Sequence, residues 1–176
     1  MLRQIGVEVV EVRLPDDLDQ VKGLIVPGGE STTIARLVDI YGLREPILKK
    51  VAEGMALWGT CAGMILMATS LNDDRPRPWG LLPIQVARNA FGRQVDSFEA
   101  DLKVKAFRNG HLFRAVFIRA PIVTEVGEGV EVLARLVDGR PVAVQQGKLL
   151  ATAFHPELTR DTRFHSYFVS LAEGAD

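Results

Sequence analysis

The sequence predicts an α/β domain with three layers: a mostly parallel central sheet, helices on both of its faces, and an antiparallel extension. Apolar runs at residues 24–26 and 55–58 are each followed by a glycine-bearing turn and helical periodicity, the order typical of parallel βα units. Later, short strand-like runs are joined by Asp138-Gly139 and Gln146-Gly147, dipeptides typical of tight hairpins. The length of 176 residues predicts a single domain over residues 1–176.

Composition narrows the class of function. The net charge of -1 gives no electrostatic reason to expect a nucleic-acid partner. No apolar run approaches the roughly 20 residues that span a bilayer, so we expect no membrane partner. One cysteine excludes an intramolecular disulfide and favours a reducing compartment, for which we expect the cytoplasm.

The first half of the chain predicts a short helical turn, two strands and two helices. Residues 2–6 have the pattern of a last helical turn closed by a glycine, and residues 7–12 alternate apolar and acidic side chains like an outer strand. The apolar run at 24–26 predicts a strand buried on both faces. Helices are expected at 34–41 and 45–53, and Ser31 or Thr32 is expected to cap the first of them.

The second half predicts one further βα unit and then mostly strands. A strand at 55–58 and a helix at 62–71 are followed by a polar loop at 72–78. Strands are expected at 82–87, 102–107, 115–118, 132–137, 141–145 and 149–154, and a final amphipathic helix at 161–171.

Cys61 lies where the apolar run at 55–58 gives way to a helical pattern. The flanking Gly59 and Gly63 give the spacing of a nucleophile elbow, a sharp turn that points its central side chain out of the sheet. A thiol at a helix N-terminus is favoured as thiolate, so a catalytic nucleophile is one interpretation. A small buried core residue is the other, because most free cysteines are structural.

The glycine pair Gly28-Gly29 ends the preceding apolar run. Such a loop can present N–H groups as an oxyanion hole, and it can equally be an ordinary βα connection. The N–H of Ala62, directly after the cysteine, is the expected second donor. The loop lacks the lysine of a P-loop, which argues against nucleotide binding.

His155 follows the last predicted strand, and Glu157 stands two residues beyond it. A carboxylate at that spacing can accept a hydrogen bond from Nδ1 and leave Nε2 facing a nucleophile; a purely structural histidine is the alternative. His111 and His165 are expected at the surface. Because Gly28-Gly29, Cys61 and His155 all follow strands, we expect them at one sheet edge, where parallel sheets form their sites.

Several segments together resemble a known family. The cysteine turn and the His-Pro-Glu segment resemble the class I, triad-type glutamine amidotransferases, which have a flavodoxin-like sheet. Four further segments narrow the resemblance to the glutaminase subunits of pyridoxal 5'-phosphate synthase: residues 27–33 (PGGESTT), 88–94 (RNAFGRQ), 95–99 (VDSFE) and 117–121 (FIRAP).

The resemblance implies an enzyme that hydrolyses L-glutamine to L-glutamate and ammonia through a cysteine thioester, without cofactor or metal. It implies a partner, a (βα)-barrel synthase subunit that uses the ammonia to build pyridoxal 5'-phosphate (vitamin B6). It assigns the triad to Cys61, His155 and Glu157, and the oxyanion hole to the N–H groups of Gly29 and Ala62. The residues it implies for glutamine binding are Gly29, Glu30, Ser31, Arg88, Ile118 and Arg119.

The sequence departs from the family pattern at its start. Members of the family begin with a strand ending in a Leu-Gln-Gly turn and a helix containing Glu-His, and neither precedes the first segment matched here. We therefore expect an N-terminally truncated domain of lower stability and lower activity. Two other functions stay open at this point: a non-catalytic subunit that docks on or regulates the synthase, and another Cys-His hydrolase acting on peptides or esters.

Overall fold

Strands outnumber helices in the computed structural model, which describes residues 1–88, 97–108 and 110–174. The helices are α1 (Ser31–Ile40), α2 (Arg44–Ala52), α3 (Ala62–Met67) and α4 (Arg163–Glu173), and short 3-10 helices cover Leu2–Ile5, Pro15–Gln20 and Pro156–Leu158. The strands are β1 (Gly23–Val26), β2 (Ala56–Thr60), β3 (Ala68–Leu71), β4 (Leu82–Ala87), β5 (Ser97–Leu102), β6 (Phe113–Ile118), β7 (Ile122–Val126), β8 (Glu131–Arg135), β9 (Pro141–Gln146) and β10 (Leu149–Thr152).

The main sheet has the order β1-β2-β10-β9-β8. Strand β2 runs parallel to both β1 and β10, whereas β9 runs antiparallel to β10 and to β8. The predicted α/β class, with a parallel core and an antiparallel extension, is confirmed. Val26 pairs with Gly59, and Gly59 pairs with Ala151, so the three parallel strands end at the same level.

Strand β2 lies at the centre of the core, and all five of its residues are buried. On one face, Trp58 stacks against Phe164 and Phe168 of α4, with ring centroids 6.2 and 5.6 Å apart. On the other face, the neighbouring Gly59 lies directly against Gly63 of α3. Adjacent strand residues point to opposite faces, so helices cover both sides of the sheet at this strand.

Two smaller sheets flank the parallel core. One has the order β3-β4-β7 and the other is the β5–β6 hairpin. Phe113 and Phe117 of β6 pack on Phe154, just beyond β10, with centroids 5.7 and 5.5 Å apart. This aromatic contact holds the β6 strand beside the carboxyl end of the main sheet. No helix in the described ranges is long and apolar enough to cross a membrane.

Several predicted elements in the first half differ from the structure. Residues 7–12 form no strand and do not pair with β1, whose outer side carries no strand among the described residues. The β1 strand is a sheet edge, so its first three residues are only partly buried rather than covered on both faces. The helix expected at 34–41 begins at Ser31, and its cap is Glu30, not Ser31 or Thr32. The first turn of this helix is polar, so it lacks the apolar periodicity that would have predicted it.

Two further predictions are wrong in the middle of the chain. The helix expected at 62–71 ends at Met67, because residues 68–71 turn extended and pair with β4. The strand expected at 102–107 is instead β5, whose alternating exposure across Ser97–Leu102 follows its pairing with β6. Strand β7 was not predicted at all. Of the segments at 88–94 and 95–99 that resemble the family, residues 89–96 lie outside the described residues.

Candidate active site

The carboxyl ends of three adjacent strands converge on one cavity. Strand β1 leads into Gly28-Gly29, β2 into Cys61 and β10 into His155, and β2 lies between the other two. The shared edge that the sequence predicted for these three segments is therefore the edge that the structure has. This is where open parallel sheets place their ligands.

Cys61 stands on a strained turn between β2 and α3. Its φ and ψ are 48° and −101°, a region that non-glycine residues rarely occupy and that costs of order 1–3 kcal/mol. A Cβ on Gly59 would lie 2.4 Å from the backbone of Gly63, and a Cβ on Gly63 would lie 2.2 Å from the carbonyl oxygen of Val26. The Cys61 N–H donates to the Thr152 carbonyl at 2.8 Å. Both glycines are thus required by close backbone approach, and the turn is fixed on the sheet.

His155 is held from three sides. Its backbone N–H donates to the Val116 carbonyl at 2.8 Å, and its Nδ1 lies 2.8 Å from Oε1 of Glu157. Pro156 starts the 3-10 helix that turns Glu157 back toward the ring. On the ring face, a Cβ at Gly28 would lie 2.3 Å from Cε1 of the imidazole. Gly28 is therefore needed for the space that the ring occupies.

The pKa values of His155 and Glu157 are both shifted in the direction that favours the ionised form. Hydrogen bonding to the Cys61 sulfur, and then to Glu157, raises the pKa of His155 to about 10, against the opposing effect of burial. Burial, the largest single effect, acts to raise the pKa of Glu157, but the hydrogen bond from His155, a backbone hydrogen bond and the nearby charge of His155 together lower that pKa. The raised pKa favours the imidazolium form of His155 beside the Glu157 carboxylate. Such an imidazolium can stabilise a thiolate and deliver a proton to a leaving group.

The cavity has a volume of about 310 Å³. Its lining is contributed by five separate parts of the chain and includes charged, polar and apolar side chains. The lining residues are Gly29, Glu30, Ser31, Cys61, Ile65, Arg88, Ile118, Arg119 and His155. Every residue that the resemblance implied for glutamine binding is on this wall.

Glu30 and Arg88 form a charged pair at the cavity. The Glu30 carboxylate accepts from the N–H groups of Thr32 and Thr33 at 3.1 and 2.6 Å and so caps α1. These bonds, led by the one from the Thr33 hydroxyl, lower the pKa of Glu30 to about 2. Arg88 lies 3.7 Å from Glu30 and donates to the Arg75 carbonyl. The site therefore presents one firmly ionised carboxylate beside an anchored guanidinium.

Ile118 and Arg119 enter the cavity from the end of β6. Arg119 has φ 43°, the second non-glycine residue with positive φ in the described chain after Cys61. The Cys61 thiol donates to the Ile118 carbonyl, with sulfur and oxygen 3.9 Å apart. Strained backbone therefore occurs on both sides of the thiol, in agreement with the tendency of such strain to collect at functional sites.

The two expected oxyanion donors occupy suitable places in the backbone. Ala62 is the first residue of α3, where N–H groups have no partner within the helix. Gly29 lines the cavity with φ 147°, a conformation open to glycine. In the described part of the chain, no group of three or more His, Cys, Asp and Glu side chains could hold a metal ion.

One histidine was placed wrongly and one cavity residue was missed. His165 is buried, not at the surface, and its ring packs edge-on against Trp58 with centroids 5.1 Å apart. His165 lies on the apolar side of α4, and this position could have indicated that it is buried. Ile65 lines the cavity, which its spacing of four residues from Cys61 could have indicated. His111 is exposed, as predicted.

The chain is similar to known proteins in sequence and in structure. The model of the SNO glutamine amidotransferase family matches residues 1–173. A protein of Herpetosiphon aurantiacus is 57% identical over 174 residues, which cover 97% of this chain and 91% of that protein. One from Dehalococcoides mccartyi is 55% identical over 175 residues, covering 98% and 89%. Both relatives are named pyridoxal 5'-phosphate synthase subunit PdxT.

A solved structure shows the same agreement. A crystal structure of a glutamine amidotransferase is 52% identical in sequence and superposes with a TM-score of 0.91. The match covers 98% of this chain and 90% of that one. The similarity thus extends over nearly the whole chain, including the three strand ends that build the cavity.

Proposed function

The chain belongs to the SNO glutamine amidotransferase family, and from that membership we infer that it is the glutaminase subunit of a pyridoxal 5'-phosphate synthase. It hydrolyses L-glutamine to L-glutamate and ammonia. The observation that best supports a specific mechanism is that Cys61 and His155 line one cavity while Nδ1 of His155 lies 2.8 Å from Oε1 of Glu157.

In the proposed mechanism, Cys61 is the nucleophile. Its thiolate attacks the carboxamide carbon of glutamine, and the carbonyl oxygen becomes an oxyanion that the N–H groups of Gly29 and Ala62 stabilise. Each such donor is worth about 3–4 kcal/mol of barrier. As the C–N bond breaks, the His155 imidazolium gives its proton to the nitrogen, and ammonia leaves a γ-glutamyl thioester on Cys61.

The same groups complete the hydrolysis. Neutral His155 takes a proton from water, the resulting hydroxide attacks the thioester carbon, and the C–S bond breaks to release glutamate. The thiolate and the imidazolium are thereby restored. Glu157 orients the ring and stabilises its positive charge throughout, without itself taking the proton.

The charged wall of the cavity suits the amino-acid end of glutamine. We assign the α-carboxylate to Arg88 and Arg119, since guanidinium groups bind carboxylates with two parallel hydrogen bonds. Glu30, ionised because its pKa is about 2, supplies a negative charge for the α-ammonium group. The backbone of Gly29, Ser31 and Ile118 completes the proposed glutamine site.

We further propose that the ammonia passes to a (βα)-barrel synthase subunit. The support is the name of the two relatives, pyridoxal 5'-phosphate synthase subunit. We propose that residues 1–176 act as one domain in that complex. A cytoplasmic location is proposed because the mechanism requires a reduced thiol at Cys61.

The test is glutamate release by the chain mixed with the synthase subunit from the same organism. We expect the wild type to release glutamate and ammonia in equal amounts, and Cys61→Ala to release neither while keeping its melting temperature. Activity that survives in Cys61→Ala contradicts the mechanism. Turnover of peptides or esters without preference for glutamine indicates another Cys-His hydrolase, and binding to the synthase without any ammonia production indicates a docking subunit.

A further inference from the structure

The side chain of Ile65 lines the cavity and has no role in the proposed mechanism. Ile65 is one of two isoleucines on a wall whose other residues, apart from Gly29, are charged or polar. It is 6% exposed, whereas Ile118, the other isoleucine of the lining, is 37% exposed. Ile65 therefore belongs to the inner wall of the cavity, and Ile118 to its rim.

Ile65 stands one helical turn from the nucleophile. Its N–H donates to the Cys61 carbonyl at 3.4 Å, which closes the first turn of α3. Cys61 and Ile65 both line the cavity, so the two residues face a shared space. Because isoleucine is branched at Cβ, its side chain is held in few rotamers and presents a firm surface.

A glutamine side chain has two methylene groups between its carboxamide and its charged α-carbon. When the carboxamide carbon reaches the Cys61 sulfur, the adjacent methylenes lie within reach of a side chain one turn along the helix. We propose that Ile65 is a specificity-determining residue: it packs against these two methylenes and selects glutamine over asparagine. The proposal rests on the glutaminase function proposed above.

The selection against asparagine follows from the length of the substrate. Asparagine has one methylene fewer, so a carboxamide placed at Cys61 brings the α-ammonium and α-carboxylate one bond closer to Ile65. Charged groups there would lose water against an apolar surface that offers them no hydrogen bond, which is unfavourable. The difference of one methylene typically discriminates by about 10- to 200-fold in an apolar pocket.

Two substitutions at position 65 that give side chains of similar shape distinguish the effect of packing from the effect of polarity. Ile65→Val removes one methyl group, and Ile65→Thr has nearly the shape of valine but adds a hydroxyl. With the synthase subunit present, we expect Ile65→Val to raise KM for glutamine about four-fold at nearly constant kcat, as the loss of one buried carbon predicts. In Ile65→Thr we expect the ratio of kcat/KM for glutamine over asparagine to fall about ten-fold below that of Ile65→Val.

Leu66→Val is the matched control, because Leu66 is a fully buried neighbour in the same helix that does not line the cavity. It should lower the melting temperature without changing KM or the selectivity ratio. If the wild type hydrolyses glutamine but both Ile65 variants keep the wild-type KM and ratio, the specificity role is overturned while the glutaminase function stands. If the wild type hydrolyses no glutamine, the function itself fails. A fall in kcat alone, with KM and ratio unchanged, assigns Ile65 to the core and also overturns the proposal.

Discussion

The contact between Gly28 and the His155 ring provides a steric test of the catalytic pair. A Cβ at position 28 would lie 2.3 Å from Cε1 and 2.9 Å from Nδ1 of the imidazole, where ordinary contacts begin at 3.4 Å. In Gly28→Ala the ring or the strand end must therefore move by about 1 Å. Gly28 does not have a positive φ, so the alanine meets this obstacle and no backbone strain.

The displaced ring is that of His155, whose nitrogen atoms must be positioned accurately for proton transfer. The ring is tethered through Nδ1 to Glu157 at 2.8 Å and through its backbone N–H to Val116 at 2.8 Å, so it cannot retreat without breaking one of these bonds. A misplacement of about 1 Å at a catalytic group typically costs about 10²-fold in rate. We expect kcat of Gly28→Ala to fall by about that factor, with a smaller change in KM.

The assay is the initial rate of glutamate release in the presence of the synthase subunit, with the melting temperature measured in parallel. Gly23→Ala is the control at the start of β1, because the nearest neighbours of its Cβ are the side chains of Phe168 and Ala172, both at 3.0 Å and neither of them part of the cavity lining. It should lower the melting temperature and leave kcat unchanged. A Gly28→Ala enzyme whose kcat stays within about two-fold of wild type would refute the reasoning from the His155 contact.

Three further predictions concern ionisable groups. Glu157→Gln removes one of the two partners that raise the pKa of His155 to about 10, so the alkaline limb of the kcat–pH profile should move to lower pH. Its kcat should fall about 10²- to 10⁴-fold because the imidazole tautomer is no longer fixed; an unchanged profile contradicts this. Burial lowers the pKa of His165 from 6.5, so the native protein favours its neutral form and should lose stability as pH falls through that value. His165→Phe should flatten the dependence of melting temperature on pH in this range, and an equally steep curve would count against the assignment. Glu30→Ala removes the cap of α1, which should cost about 1 kcal/mol in urea unfolding, and a loss within error would show that the cap is not needed.

Sequence alone indicated the parts of the site that depend on local pattern. The glycines around Cys61 and the spacing of His155 and Glu157 are short-range signals, and the strands before them predicted a common edge. The hairpin dipeptides at Asp138-Gly139 and Gln146-Gly147 likewise predicted the antiparallel strands that bring β10 beside β2. These features agree with the structure because each is determined within a few residues.

Features that depend on distant partners could not be predicted in this way. The apolar run of α3 continues through Ala68, and only pairing with β4 ends the helix there. His165 is buried because α4 packs on Trp58, more than one hundred residues earlier in the chain. Glu30 caps α1 because its carboxylate accepts hydrogen bonds from two N–H groups. Ser31 and Thr32 are also residue types that commonly cap helices. For α3 and His165 a tertiary contact decided between local alternatives, whereas the Glu30 cap is a local contact within three residues.

The central claim is that the Cys61 sulfur attacks a bound glutamine carboxamide. A glutamine analogue with an electrophilic carbon in place of the carboxamide carbon tests it, by mass spectrometry of the complex with the synthase subunit. We predict one label for each chain, located on the peptide that contains Cys61, slowed by free glutamine and absent in Cys61→Ala. Labelling at another residue, or labelling of Cys61 that excess glutamine does not slow, would contradict the claim.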